Sequence, residues 1–229
     1  MKPIPVFVGY DPREAIAYHT CVNSIIRNSS RPVAIVPVAL NLFRDYSETH
    51  TDGSNHFIYT RFLVPHLMDY QGWAIFIDGD MIVRGDIAEL WDLKDYTTDV
   101  MVVKHDYKTR RTEKYLGNAN EDYPRKNWSS VILWNCNAIR NRILTPEFVQ
   151  QSTGAFLHRF SWIGDERVGE LPAEWNWLDV EYEYNPFAKL VHYTLGTPCF
   201  HEFADQGDFS DEWHRERIFT EYCQQRLIA

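Results

Sequence analysis

The sequence predicts an α/β fold. It is read as one domain over residues 1–229, with a central, mostly parallel mixed sheet flanked by helices. Three observations carry this. Short, wholly apolar runs alternate with longer amphipathic stretches along the chain. The composition is globular, 45% apolar and 24% charged over 229 residues. One apolar run, Ala74-Ile75-Phe76-Ile77, ends abruptly in Asp78-Gly79-Asp80, and in open α/β sheets ligands bind beyond the carboxyl ends of the strands.

The elements follow in order. Residues 4–8 are a buried strand. Asp11-Pro12 opens a helix that runs to about Asn28, with Asp as N-cap and Pro at the first helical position. Residues 33–40 are the next strand, and 41–55 are polar, with Asp52-Gly53 marking a turn. Residues 57–69 have helical spacing. Trp73–Ile77, 100–104, 131–134 and 190–193 are further strands. Residues 211–227 read as a C-terminal helix with Trp213, Ile218 and Tyr222 on one side.

Charge and cysteines narrow the class. The 23 basic and 32 acidic residues leave a net −9, which excludes a broad phosphate-backbone binder. Cysteines 21, 136, 199 and 223 show no C-x-x-C spacing, so they read as buried free thiols in a reducing compartment. The longest apolar stretch, 33–40, contains a proline, and the N-terminus lacks a secretory core. The expectation is a cytoplasmic protein, with the sequons at Asn28 and Asn127 fortuitous.

Asp78-Gly79-Asp80 is the sharpest chemical feature. Residues 78 and 80 share one side of an extended backbone. Their mutual repulsion is relieved by a divalent cation with a taste for hard oxygen ligands. Gly79 is expected to let the backbone bend and a ligand approach. A solvated acidic turn is the plainer reading. A calcium loop through Asp78, Asp80, Asp86 and Glu89 fails, because Val83 stands where that loop needs glycine.

Several blocks, in order, resemble glycosyltransferase family 8, the retaining nucleotide-sugar enzymes of GT-A fold. They are Tyr59-Thr60-Arg61-Phe62-Leu63-Val64-Pro65-His66-Leu67, the strand entering Asp78-Gly79-Asp80, and Gly85-Asp86-Ile87-Ala88-Glu89-Leu90-Trp91. Ser129-Ser130-Val131-Ile132-Leu133-Trp134-Asn135, Asp165-Glu166 before Leu171-Pro172-Ala173-Glu174-Trp175-Asn176, and Leu190-Val191-His192-Tyr193 complete the set. The resemblance implies a metal-dependent transfer of a hexose, of glucose or galactose type, from a UDP-sugar to an acceptor hydroxyl with retention. It implies Asp78, Asp80 and His192 as metal ligands, with Mn2+ favoured over Mg2+ by the imidazole. Arg61, Asp78 and Gly79 are then expected at the donor, Gly9, Tyr10 and Asp11 at the uracil, and Asp165 and Glu166 beside the transferred sugar. The nucleotide-binding half is about 1–105 and the acceptor side about 106–229.

The chain departs from the family at three places. Trp128-Ser129-Ser130 replaces Asn-Ser/Ala-Gly, Glu166 replaces glutamine, and Gly196-Thr197-Pro198 lacks the usual lysine. Glu166 leaves a covalent glycosyl intermediate open beside a front-face substitution. Trp162, Trp175 and Trp177 are candidates for a sugar-stacking acceptor wall, and 107–125 for a lid over the donor. A sugar-nucleotide pyrophosphorylase is disfavoured, since Gly9-Tyr10-Asp11-Pro12-Arg13 is no glycine-rich phosphate loop. A binding module of the same fold, without catalysis, remains the alternative.

Overall fold

The computed structural model describes residues 2–51, 53–117 and 119–221, without the side chain of Tyr115. Asp52 of the expected turn, and Tyr222, Cys223 and the rest of the C-terminal segment, lie outside the described residues.

β1 (Ile4–Tyr10) leads through a 3-10 turn into α1 (Ala15–Arg27), then β2 (Val33–Ala39), α2 (Val64–Leu67), β3 (Trp73–Ile77), β4 (Met81–Val83) and α3 (Ile87–Asp92). β5 (Val100–Val102), β6 (Val131–Asn135), α4 (Pro146–Gln151), α5 (Gly154–His158), β7 (Val168–Glu170), β8 (Trp177–Leu178), β9 (Leu190–His192) and α6 (Ser210–Glu221) follow. Six strands form the main sheet in the order β2-β1-β3-β6-β5-β7, and β4-β9-β8 form a second. In the main sheet β1/β2, β1/β3 and β5/β7 are parallel, while both antiparallel pairings belong to β6.

The strands of the sheet centre are apolar throughout because both faces are covered. Ile75 and Ile77 enter one core layer with Val6, Val8 and Leu133, while Phe76 enters the other with Phe62, Ile132 and Trp134. A third cluster packs Trp213 of α6 against Ala17, Val191 and Phe209. Burial of this kind contributes roughly 25 cal/mol per Å² of apolar surface.

The helix expected over 57–69 shortens to a 3-10 turn, Thr60–Leu63, and one turn of α2. Pro65 has no N–H to donate to Arg61 and sits in the first turn of α2, so it starts a helix rather than continuing one. On α6, Trp213 is buried but Ile218 is 48% exposed, so the two do not share a buried face as the spacing suggested. Asp86 caps α3 by accepting from Ala88 N at 2.9 Å and also accepts from Ser30 N. That commitment accounts for it without a calcium loop. Cys21 and Cys136 are buried free thiols and Cys199 is a partly buried one. Among the described residues no helix is long and apolar enough to cross a membrane.

Candidate active site

The two sheets meet at Asp78-Gly79-Asp80. The β3–β6 ladder ends where Asp78 N donates to Ser130 O at 3.0 Å. β4 starts one residue after Asp80 and pairs Met81 with His192, and Tyr193 N donates to Asp80 O at 3.1 Å. The register therefore sets His192 beside Asp80 across 112 residues of sequence. One ligand atom each from Asp78, Asp80 and His192 lie within 4.8 Å of one another. Residues from both expected halves of the chain build this cluster.

Gly79 has a different reason from the one expected. A Cβ there would stand 2.2 Å from Gly9 O, and a Cβ on Gly9 would stand 2.4 Å from the Phe57 ring. Both glycines let β1 and β3 close on each other and on Phe57. The space where each Cβ would stand is filled by protein.

The tautomer of His192 follows from its neighbour. Asn176 Nδ2 lies 3.1 Å from Asn127 O, a group that only accepts, and 3.2 Å from Ser130 Oγ. This orients the amide so that Asn176 Oδ1 faces His192 Nδ1 at 3.1 Å. The Nδ1 proton is donated there, so Nε2 is the ring nitrogen left for a cation. Nε2 lies 3.4 Å from Asp80 Oδ1.

The carboxylates are short of partners. Asp78 Oδ1 and Asp80 Oδ1 are both shut off from solvent without a hydrogen-bond partner. Arg61 Nη1 lies 2.8 Å from Asp78 Oδ1, a contact of opposite charges without hydrogen-bond alignment. Burial, then the neighbouring Asp80, push Asp78 up to about 7 against the pull of Arg61. Burial acts on Asp80 too, but His192 and Lys114 outweigh it and hold that group low. Two orphaned oxygens facing an imidazole lone pair form a donor set that fits a divalent cation of borderline hardness.

Arg61 is buried and locked. Nη1 also donates to Ser129 O at 3.0 Å, Nε donates to Ile58 O at 3.1 Å, and the guanidinium lies over the Phe57 and Phe76 rings. The cavity between these groups has a volume of about 60 Å³, room for a cation and a little water but not a sugar nucleotide. Lys114 and Tyr123, from the segment expected to be a lid, line it. That segment is tied down by Lys126 on Asn120 Oδ1 and Arg125 on Arg159 O.

Other expected site residues are placed elsewhere. Asp11 is 1% exposed and its carboxylate is fully engaged, accepting from Arg13 N, the Arg13 side chain and His56 N. It caps the turn before α1 and offers a base no open edge. Tyr10 packs edge-on against Tyr18 at 5.2 Å. Asp165 and Glu166 do not join the carboxylate cavity. Their side chains are 84% and 73% exposed, and Asp165 pairs with Arg125. Arg167, next in the chain, donates to Thr97 O and accepts from Asp99 N, at the end of the sheet away from Asp78. Trp175 is in the core, Trp162 stacks on Trp134 and bonds Asn141, and Trp177 packs on Tyr182. The aromatics are thus mostly packing, not an open sugar wall. Asn176, Ser129 and His158 carry the site with no role assigned from sequence. Asn176 sat within a quoted motif, whereas His158 had no signal at all.

A doubly covered mixed sheet, with an acidic turn at its strand ends and a histidine delivered from a second sheet, defines a glycosyltransferase of GT-A fold. The chain belongs to glycosyltransferase family 8, whose sequence profile matches residues 13–197. It is 46% identical over 224 residues to Protein CDI of Arabidopsis thaliana, covering 94% of this chain and 86% of that protein. GlyE of Streptococcus pneumoniae TIGR4 superposes with a TM-score of 0.61 at 14% identity, over 95% of this chain and 61% of that one. The bifunctional glycosyltransferase WbbM gives 0.59 at 18%, over 94% and 52%. The galactosyltransferase LgtC, solved with donor and acceptor sugar analogues, gives 0.57 at 11%, over 97% and 98%. The chain thus spans little more than half of WbbM and GlyE.

Proposed function

We propose that the protein transfers a hexose from a UDP-sugar to an acceptor hydroxyl, with retention of configuration and with a divalent cation, Mn2+ in preference to Mg2+. The observation that carries this is the cluster of Asp78, Asp80 and His192, whose unpartnered oxygens and bare Nε2 converge. Those three side chains would hold the cation, which when bound supplies positive charge against the departing diphosphate. Arg61 adds a fixed positive charge beside Asp78, positioned before any substrate arrives. Asn176 keeps the His192 ring in its ligating tautomer. Tyr10 and the strand ends of β1 and β3 are the surface read as meeting the base. Release of the Lys126–Asn120 and Arg125–Arg159 bonds would let the 107–125 segment, whose Lys114 lines the cavity, open to the donor and then exclude water.

Retention is read as substitution on one face of the sugar. Among the described residues lining the cavity the carboxylates are Asp78 and Asp80, both committed to the cation, and Asp165 and Glu166 stand apart from it. This favours the front-face route over a covalent intermediate. The free buried thiols accord with a reducing compartment, the cytoplasm.

The test is UDP release from UDP-glucose and UDP-galactose with Mn2+, with and without EDTA. EDTA-sensitive release is expected, in the slow manner of donor hydrolysis until an acceptor is supplied. Binding of UDP-sugar with no release under any condition would instead favour the non-catalytic alternative.

A further inference from the structure

His158 ends α5 and is set against the wall of the carboxylate cavity. Its Nδ1 lies 2.7 Å from Ser129 Oγ. Its ring is clamped edge-on by Phe62 at 5.1 Å and flanked by Tyr59 at 6.3 Å. Its Nε2 is shut off from solvent and has no hydrogen-bond partner. Burial, then the nearby Arg61 charge, push the imidazole down to about 3, which favours the neutral ring. A buried polar atom without a partner asks for a function or a missing ligand, and of the two orphaned histidine nitrogens among the described residues, on His105 and His158, that of His158 belongs to the lining of the carboxylate cavity.

Its location says which ligand. His158, with Ile58 and Tyr123, lines both the carboxylate cavity and an adjoining groove of about 410 Å³ bounded by Tyr59, Ala155 and Arg159. The groove is of a size usual for small-molecule sites. A neutral ring is a weak partner for a diphosphate that has Arg61 at hand. A sugar hydroxyl both donates and accepts, so it satisfies Nε2 in either tautomer.

We propose that His158 is a specificity-determining residue whose Nε2, uncovered as the 107–125 segment opens the cavity, hydrogen-bonds a hydroxyl of the transferred sugar, the sugar reaching from the Asp78–Asp80 pair toward the adjoining groove. The inference rests on the nucleotide-sugar reading above. It gives this wall of the site a neutral imidazole where the resemblance placed the carboxylates of Asp165 and Glu166.

Calorimetric titrations with Mn2+ present separate the two levels. The ligands are UDP, UDP-glucose, UDP-galactose, and deoxy analogues of the better sugar at each hydroxyl. His158→Ala is expected to hold the Kd for UDP within about twofold and to weaken the better UDP-sugar about tenfold. One deoxy analogue should bind wild type poorly, and His158→Ala should no longer distinguish it from the parent sugar. His158→Gln, with an amide in place of the ring edge, should recover part of the loss. Equal weakening of UDP and UDP-sugar in both variants, or an unchanged deoxy profile, overturns the assignment. Wild-type protein that binds UDP-sugar no better than buffer overturns the nucleotide-sugar reading itself.

Discussion

Asn176 accepts the His192 Nδ1 proton at 3.1 Å, and that single bond reserves Nε2, 3.4 Å from Asp80 Oδ1, as the nitrogen that can meet a cation. A buried amide thus decides which face of an imidazole is available to a cation. Partners of this kind are worth about 10–100-fold in metal affinity where they have been removed. Asn176→Ala should weaken Mn2+ binding by that order in calorimetry. The loss of donors to Asn127 O and Ser130 Oγ should also cost about 1–3 kcal/mol in urea denaturation.

Asp80→Asn should separate stability from cation binding. Against burial, His192 and Lys114 hold the Asp80 carboxylate low in the fold, so its charge contributes stability, and a neutral amide there should lower the Tm of metal-free protein. The same change should abolish the Mn2+-induced rise in Tm. In wild type that rise corresponds to about 2.7 kcal/mol at a hundredfold excess over Kd. A scan of both proteins with Mn2+ and with EDTA reads all four states. An undiminished Mn2+ shift in the variant would remove Asp80 from the site.

Arg61 and Asp78 form a buried ion pair at 2.8 Å. Without Arg61 the Asp78 carboxyl, already pushed up to about 7 by burial, takes a proton, and the cost is the unsatisfied Ser129 O and Ile58 O, about 1–3 kcal/mol. Arg61→Ala should lose stability of that order in metal-free denaturation. Added Mn2+ should restore more stability to the variant than it adds to wild type, since it replaces a missing positive charge.

Asp11 supplies an acid-sensitive contribution to the fold. Burial raises its pKa, but bonds from Arg13 and His56 N outweigh this and hold it below the ordinary value of 3.8. The folded state therefore binds the proton less readily than the unfolded chain. The stability it contributes is full above the unfolded pKa and is lost as pH falls through the folded one. Asp11→Ala should cost about 1–2 kcal/mol at pH 7, and the gap to wild type should narrow below pH 3.8 in denaturation series.

Gly79→Ala places a Cβ 2.2 Å from Gly9 O, a backbone atom that cannot rotate away. It should destabilise by at least about 1–3 kcal/mol and displace the acidic turn, lowering Mn2+ affinity at the same time. A variant with wild-type Tm and Mn2+ titration would mean that the strand ends separate freely.

The strand pattern was legible because the sheet centre is buried on both faces. Trp73–Ile77 and the 131–134 run could be nothing but apolar, and the structure extends the latter only to Asn135. The D-G-D turn was visible for the same reason, as charge ending a buried strand. β4, β7 and β8 were not seen, since two or three residues carry too little periodicity to read.

What sequence alone determined, then, is the local and the nearby: the strands, the Asp11 cap, and the acidic pair on one side of a turn. The tertiary structure decided how distant residues meet. The β4–β9 register brings His192 to Asp80 and the packing of α5 brings His158 to Ser129, while the Asp165 side chain stays exposed against Arg125. Asp165 and His158 are seven residues apart, both polar, both beside a helix or turn. Side-chain chemistry does not distinguish them. Tertiary packing does, because α5 presses the His158 ring against Phe62 and Tyr59 beside the carboxylate cavity while the Asp165 side chain is left in solvent beside Arg125.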